Sequence, residues 1–292
     1  MANAGAIEIR NLTKTFGRDT KALNGVTFSV EPGEMVALIG ASGSGKSTLI
    51  RHIAGLVQPD AGVRSEITVN GAQVQSNGRI DPHIRAVRTQ VGMVSQQFNL
   101  VPRLSLLTNV CLGALGRIPK WRGNLALFPK EERVHAMDAL DRVGMARFAG
   151  QRSSTLSGGQ QQRGAVARAL VQGAQVLLAD EPIASLDPRS ARSVMQTIAS
   201  LNAEDGMSVL VSLHQVDYAV RFCPRTIAMS DGRIIFDGPS RELTPSFLQE
   251  LYGERSDEVI LGSATALDEH APDNPKPHDP ASPELQDARV MA

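Results

Sequence analysis

Apolar and polar residues alternate in several short segments of this chain. Apolar side chains recur at every second position at Ile7 and Ile9, through residues 26–30 and again through residues 67–69. This period of two is typical of a β-strand with one face buried and the other in water. The pattern therefore predicts strands in the first seventy residues.

Three other segments are apolar without interruption. Met35–Ile39 has the sequence MVALI, and residues 176–179 and 209–211 have the same character. Strands covered on both faces inside a parallel sheet have this composition. Nearer the end, Asp231 and Gly232 separate two apolar runs and predict a type I′ hairpin. Together these segments predict an α/β protein with a parallel core and an additional antiparallel sheet.

The middle of the chain follows a different pattern. Residues 98–154 contain few strand signals, and Pro129 followed by Lys-Glu-Glu is typical of a helix start. We therefore expect a mostly helical insert. The apolar stripe of its main helix is predicted at Val134, Met137, Leu140 and Val143.

Composition separates the end of the chain from the rest. Residues 263–292 hold five of the sixteen prolines and few large apolar side chains, so we expect disorder from about residue 263. The whole chain has 30 basic and 30 acidic residues, but from residue 262 onward six acidic residues face two basic ones. The remainder has an excess of only four positive charges, which gives no reason to expect a nucleic-acid partner.

The cysteines and the lengths of the apolar runs indicate in which cellular compartment the protein works. Cys111 and Cys223 are far apart and belong to no metal-binding motif, which favours a reducing compartment. No apolar run approaches the roughly 18 residues of a membrane span, and the first residues do not resemble a signal peptide. We expect a cytosolic protein, or one that meets a membrane only through partners.

The MVALI segment is followed directly by GASGSGKST, which fits the motif G-x-x-x-x-G-K-[ST] between a strand and a helix. Glycines let such a loop wrap with its N–H groups inward, and the helix N-terminus favours phosphate. In this motif the lysine reaches the β- and γ-phosphates and the following hydroxyl binds Mg²⁺. The predicted nucleotide-binding residues are Gly40, Ala41, Ser42, Gly43, Ser44, Gly45, Lys46, Ser47 and Thr48.

Two carboxylates follow the predicted buried strand at 176–179. Asp180 stands where a P-loop protein needs an acid to hold its metal ion. Glu181, one residue further, is placed to polarise an attacking water as general base. An Asp-Glu pair at a strand end is more often merely solvated, but the P-loop favours the functional interpretation.

A second glycine-rich helix start lies between these motifs, and by itself it indicates only a serine-capped helix. Its two glycines nevertheless expose N–H groups that can bind phosphate. Two chains arranged head to tail could each lend this helix to the other's nucleotide. The segment consists of Leu156, Ser157, Gly158, Gly159 and Gln160.

In this order the three motifs resemble those of the ATP-binding-cassette (ABC) ATPases, over about residues 6–253. The resemblance implies a P-loop NTPase fold with a RecA-like core, an antiparallel β subdomain and a helical subdomain. It further implies one ABC ATPase domain over residues 1–254, with the helical subdomain inserted at about 98–160. Residues 255–292 would form a C-terminal extension outside the family core.

Further positions match the family one at a time. Gln96 matches the Q-loop glutamine, which contacts Mg²⁺ and the attacking water, and His214 matches the switch histidine at the γ-phosphate. Asp187 matches the D-loop that crosses the dimer, and Phe16 stands where an aromatic ring stacks on adenine. Without the family, His214 would be interpreted as structural and Phe16 as a core side chain. Ser95 departs from the pattern, because an aromatic residue is common there.

Within the family, residues 96–122, 180–187 and 213–219 resemble the ATP-binding subunits of bacterial phosphonate importers. This resemblance implies ATP hydrolysis to ADP and phosphate, coupled to phosphonate uptake through a partner permease. An importer of another solute and a non-transport ABC protein of carbon–phosphorus bond cleavage remain open. A DNA-repair or translation ABC protein is disfavoured by the single cassette and short insert.

The family also implies cofactors, partners and a location. ATP and Mg²⁺ are the expected ligands, with Ser47, Gln96 and Asp180 at the metal. The expected assembly is a homodimer of ATPase subunits bound to integral-membrane permease subunits and, indirectly, to a periplasmic phosphonate-binding protein. Its expected place is the cytoplasmic face of the bacterial inner membrane.

Overall fold

The computed structural model describes residues 5–17 and 20–253. The predicted extension at 255–292, with its expected disorder, lies outside these residues. The strands in the described part are β1 (Ile7–Phe16), β2 (Thr20–Val30), β3 (Met35–Ile39), β4 (Glu66–Val69), β5 (Ala72–Ser76), β6 (Arg79–Ile80), β7 (Val91–Ser95), β8 (Val176–Asp180), β9 (Ser208–Ser212), β10 (Arg225–Ser230) and β11 (Arg233–Pro239).

The helices alternate with the strands of the second half and fill the insert. They are α1 (Lys46–Ile53), α2 (Ile84–Thr89), α3 (Leu106–Cys111), α4 (Lys120–Asn124), α5 (Lys130–Arg142), α6 (Gly158–Gln172), α7 (Pro188–Asp205), α8 (Val216–Phe222) and α9 (Pro245–Tyr252). Short 3₁₀ turns occupy Leu112–Gly116, Ala146–Phe148, Ser153–Thr155 and Ser240–Glu242.

The strands form two sheets, as the two hydrophobic patterns predict. The alternating segments lie in an antiparallel sheet of order β2-β1-β4-β5-β6. The continuously apolar segments lie in a sheet of order β11-β10-β3-β9-β8-β7, in which β10, β3, β9, β8 and β7 are parallel. The α/β expectation is confirmed.

The parallel sheet is covered on both faces, which explains its unbroken apolar strands. In β3, Val36 and Leu38 face a core shared with the antiparallel sheet and α1, whereas Met35, Ala37 and Ile39 face the α6 and α7 side. Leu38 and Ile39 are completely buried, and each such side chain contributes about 1.5–3 kcal/mol relative to exposure.

The hairpin prediction is confirmed by backbone geometry. Strands β10 and β11 are antiparallel neighbours, and the turn residues Asp231 and Gly232 have φ values of 47° and 72°. A type I′ turn requires positive φ at both central positions, which glycine and aspartate tolerate.

Between β7 and β8 the described chain forms helices and 3₁₀ turns, with one isolated β-bridge between Ser105 and Arg152. Helix α5 begins directly after Pro129, as predicted. Its predicted stripe is partly wrong, because Val134 is 49% exposed. The buried side chains are Ala136, Ala139, Leu140 and Val143, whose spacing of i, i+3, i+4 and i+7 follows the α-helical period more closely.

Candidate functional site

The glycine-rich loop lies at the carboxyl end of the central strand β3, and its geometry requires glycine. Gly40 and Gly45 have φ values of 145° and 106°. A Cβ atom would stand 2.2 Å from the Met229 carbonyl oxygen at Gly40 and 2.3 Å from the Ala22 carbonyl oxygen at Gly45. Helix α1 starts immediately afterwards without a side-chain cap, so its first N–H groups are available to an anion.

Lys46 folds back onto this loop. Its Nζ donates to the carbonyl oxygens of Gly40, at 2.7 Å, and Ala41, at 3.1 Å. Burial lowers the pKa of Lys46, while the charges of Glu181 and Asp180 act in the opposite direction. The cationic group therefore sits at the loop that the motif assigns to phosphate.

Two of the three residues predicted to hold the metal ion are in direct contact. Ser47 Oγ donates to Asp180 Oδ1 at 2.9 Å, across from helix α1 to the end of β8. Asp180 is only 8% exposed. One hydroxyl and one carboxylate are hard oxygen donors, and they suit Mg²⁺, which keeps waters and substrate phosphates as its other ligands.

Glu181 stands beside this pair in a strained conformation. Its φ is 50°, in the left-handed region that non-glycine residues seldom adopt. Its Oε1 lies 2.6 Å from His214 Nε2, which brings two residues predicted from separate motifs into contact. The hydrogen bond from His214 lowers the pKa of Glu181 and outweighs the opposing effect of burial.

Gln96 completes the cavity around these groups. Ser47, Gln96, Asp180 and Glu181 line a space of about 300 Å³. Gln96 belongs to the loop that follows β7. Two residues further, Phe98 and Asn99 have φ values of 57° and 51°, and Asn99 Nδ2 donates to Ser95 Oγ at 2.7 Å. The serine that departs from the family pattern thus supports the turn.

Residues 156–160, called the signature segment below, lead into the start of helix α6. Ser157 Oγ accepts from the Gln160 N–H, and Gln160 Oε1 accepts from the Ser157 N–H at 2.9 Å, which is a capping box. A Cβ atom at Gly158 would meet Leu186 at 2.9 Å, and one at Gly159 would meet Ser190 at 2.8 Å. Among the described residues, those lining the Ser47–Glu181 cavity include none from this segment.

Two further residues predicted to belong to the site, Phe16 and Asp187, lie outside the lining of the Ser47–Glu181 cavity. Phe16, at the end of β1, is 46% exposed, so its ring is not a core side chain, and Lys14 Nζ lies 5.4 Å from the ring centroid. Asp187 caps helix α7 by accepting from the Ser190 N–H at 3.0 Å, and hydrogen bonding from Ser190, through its side chain and then its N–H, lowers the pKa of Asp187.

Two residues in the site escaped the sequence analysis. Ser212 Oγ donates to Asp180 Oδ1 at 3.0 Å and accepts from the Glu181 N–H at 2.8 Å. Its only signal was a polar residue closing a buried strand. Tyr252 OH accepts from the Gly40 N–H at 3.2 Å, and burial raises the pKa of Tyr252 to about 12. Nothing in the local sequence indicates that contact.

The fold and the site together define a P-loop nucleotide-binding protein, and comparisons with known proteins narrow this class. The family model described as ABC transporter matches residues 23–184. The chain is 58% identical over 256 residues to the phosphonates import ATP-binding protein PhnC 2 of Pseudomonas savastanoi pv. phaseolicola, covering 88% of this chain and 92% of the relative. It is 57% identical over 258 residues to the protein of the same name from Cupriavidus necator, covering 88% and 90%.

Solved structures that resemble this chain belong to the same family as these relatives. A dimeric ATP-binding cassette in a post-hydrolysis state, bound to ADP and Pi, superposes with a TM-score of 0.69 at 34% identity, covering 81% of this chain and all of that one. The cbiO1 subunit of a Clostridium perfringens ABC transporter complex gives a TM-score of 0.70 at 25% identity, covering 89% and 98%. The chain belongs to the ABC transporter family, as an ATP-binding cassette.

Proposed function

We propose that this chain is the ATP-hydrolysing subunit of a bacterial ABC importer that takes up phosphonates through a partner permease. The observation that carries the chemistry is the contact of Ser47 with Asp180 beside the Glu181–His214 pair. The solute is supported by the relatives named as phosphonates import ATP-binding proteins.

The binding step uses the loop, the helix and an aromatic ring. The N–H groups at the start of α1 and the ammonium of Lys46 bind the phosphates of ATP, while the exposed ring of Phe16 stacks on adenine. Ser47, Asp180 and Gln96 would hold Mg²⁺, which would supply positive charge to neutralise the β- and γ-phosphates.

The site is completed by a second copy of the chain. In a head-to-tail homodimer, Leu156, Ser157, Gly158, Gly159 and Gln160 of each copy bind the triphosphate held by the other, and Asp187 lies at the crossing. ATP favours the closed dimer because its γ-phosphate is the part that both copies contact.

The hydrolytic step separates Glu181 from His214. In the described conformation the Glu181 carboxylate is engaged in a hydrogen bond with His214. When His214 turns to the γ-phosphate, Glu181 Oε1 is released to accept a proton from the attacking water. The low pKa of Glu181 keeps this carboxylate ionised and ready for that role.

Transport follows from opening and closing of the dimer. The permease docks beside Gln96 and the helical insert, so closure switches its access between the two sides of the membrane. The subunit then lies at the cytoplasmic face of the inner membrane, and a periplasmic protein delivers the phosphonate. No helix among residues 5–17 and 20–253 is long and apolar enough to span a bilayer.

Growth on a phosphonate tests the whole proposal. A strain lacking the gene is supplied with 2-aminoethylphosphonate as sole phosphorus source and complemented with wild type, Glu181→Gln or the exposed control Glu204→Gln. Wild type and the control should restore growth, whereas Glu181→Gln should bind ATP but turn it over at least about 100-fold more slowly. Inorganic phosphate should support all strains.

Labelled uptake then separates import from intracellular cleavage. Loss of uptake in the deletion strain supports an importer, whereas normal uptake with blocked growth indicates a cleavage protein. Normal growth of the deletion strain on phosphonate, with no second importer present, would contradict the assigned solute.

A further inference from the structure

A positively charged groove lies between the parallel sheet and the helical insert. It consists of two adjoining parts of about 360 and 430 Å³, each with room for several side chains. The lining combines leucine side chains with guanidinium groups and includes Leu56, Arg88, Leu112, Leu115, Arg117 and Arg168. Leu56, Met93 and Asn99 also line the Ser47–Glu181 cavity, so the groove adjoins the nucleotide site.

Among the arginines of the lining, Arg117 is paired with Glu132, so the unbalanced charge belongs to Arg85, Arg88 and Arg168. Residues 82–130 contain seven Lys and Arg and no Asp or Glu. Arg88 and Arg168 donate to backbone carbonyl oxygens, which orient a guanidinium group without cancelling its charge. Within the described ranges, no carboxylate lies within 4.0 Å of Arg85, Arg88 or Arg168. Arg168 is half-buried and therefore gains most from an acidic ligand, whereas Arg85 and Arg88 are exposed and contribute less.

We propose that this groove binds the acidic C-terminal segment of the same chain, residues 254–292. That segment contains nine Asp and Glu against three Lys and Arg, which complements the groove in sign. It also contains the apolar run Val259, Ile260 and Leu261, which suits the leucines of the lining.

Connectivity makes the contact feasible. The segment follows Tyr252 and Gly253, and the Tyr252 hydroxyl is bonded to Gly40 of the P-loop, so the segment starts near the nucleotide site. Its 39 residues can span up to about 130 Å when extended. A tethered ligand of this kind acts at an effective concentration on the order of millimolar.

The consequence for regulation rests on the proposed function. The permease docks beside the same groove, so the segment competes with it and keeps ATP turnover low in a subunit that has no permease. Assembly with the permease displaces the segment and permits dimer closure.

Zero-length carboxyl–amine cross-linking of the full chain tests the contact. Lys120 follows Arg117 of the groove by three residues, and Lys130 precedes Glu132, the partner of Arg117, by two, whereas the exposed Lys21 lies on β2 of the other sheet. Carboxylates of 254–292 should join Lys120 or Lys130 at least about five times as often as Lys21, and 0.5 M salt should abolish the preference. Equal yields at all three lysines, or joins that form only between two copies, would overturn the proposal.

Charge-reversal variants test whether the groove is the surface that contacts residues 254–292. Arg85→Glu with Arg88→Glu, both at exposed positions of the groove lining, should remove the preference for Lys120 and Lys130, while the exposed control Arg64→Glu should keep it. Retention of the preference in the double variant would contradict the groove assignment.

An activity measurement without permease gives the functional readout. The full chain with the nine acidic residues of 254–292 replaced by Asn and Gln should hydrolyse ATP several-fold faster than wild type, and an unchanged rate would overturn the regulatory role. Cross-links report the contact whichever solute is moved, so a failure of phosphonate import leaves them unaffected.

Discussion

One serine hydroxyl connects the groups that we assign to metal binding and to water activation. Ser212 Oγ donates to Asp180 and accepts from the backbone of Glu181, which it helps to hold at a positive φ of 50°. Such a conformation costs about 1–3 kcal/mol and persists only where its surroundings fix it. Ser212 is completely buried, so both of its contacts are shielded from water.

Replacing this serine should affect metal use as well as stability. Ser212→Ala should lower the free energy of unfolding by about 1–3 kcal/mol, because Glu181 N–H and Asp180 lose a buried partner. It should also raise the Mg²⁺ concentration needed for half-maximal turnover. Urea denaturation and Mg²⁺ titration check the two effects.

Ser208→Ala is the matched control. Ser208 is buried on the same strand, and its hydroxyl accepts from the Gly33 N–H at 2.9 Å, away from the site. The Ser208→Ala variant should have a lower free energy of unfolding, but it should need the same Mg²⁺ concentration for half-maximal turnover. An equal shift in both variants would show that the Mg²⁺ effect of Ser212 is indirect.

The contact between His214 and Glu181 predicts a pH dependence of stability. The contact lowers the pKa of Glu181 in the folded state, so its stabilisation is present above the unfolded pKa and lost as the pH falls through the folded one. His214→Asn should therefore be less stable than wild type near neutral pH, and the difference should shrink in acid. Urea denaturation from pH 7 to pH 3 measures it, and a difference that grows in acid would contradict the assignment.

At the scale of elements, helix α6 is built for close approach at its N-terminus. The capping box satisfies part of its first turn, and Gly158 and Gly159 bring the backbone against Leu186 and Ser190. The helix start thus combines tight packing within the chain with the N–H groups that we assign to the partner copy's phosphate.

A negative charge at the N-terminus of α6 should distinguish its role in packing from its role in binding phosphate. Gly158→Asp should leave the fold intact, because an acid favours the N-terminus of a helix and the nearest atoms belong to movable side chains. Its charge should repel the triphosphate and reduce turnover at least about tenfold. Gly158→Asn, of equal size, is the control; equal losses in both variants would indicate steric hindrance instead.

At the scale of the whole molecule, the two sets of residues that we assign to one composite site lie apart in the described chain. Lys46 and Asp180 line or flank one cavity, while the signature segment contributes to a separate surface on α6 and α7. A head-to-tail dimer brings unlike halves together and forms two composite sites.

Mixing two inactive variants tests this arrangement. Lys46→Ala lacks the phosphate-binding lysine and Gly158→Asp has a defective signature, so each alone should be nearly inactive. A mixed dimer contains one undamaged composite site, and an equal mixture should regain about a quarter of wild-type turnover when the sites act independently. The ATPase rate measured before and after mixing decides it, and a mixture no faster than its parts would argue against composite sites.

Elements whose chemistry is local could be predicted from the amino-acid sequence alone. Met35–Ile39 forms strand β3 with the predicted bounds because a segment buried on both faces must be apolar throughout. The loop at 40–48 and the Asp231-Gly232 turn need glycine for backbone geometry, and this requirement is visible in the sequence. Val134 was misplaced because an alanine-rich face hides the true helical stripe.

Only the tertiary structure decided which distant groups meet. Ser212 reaches Asp180 because β8 and β9 are parallel neighbours in register, and His214 meets Glu181 because their loops leave the same sheet edge. The Tyr252 contact with Gly40 joins residues 212 positions apart. Periodicity and motifs describe a residue's own neighbours in the chain, whereas such contacts depend on sheet order and packing, which no short segment encodes.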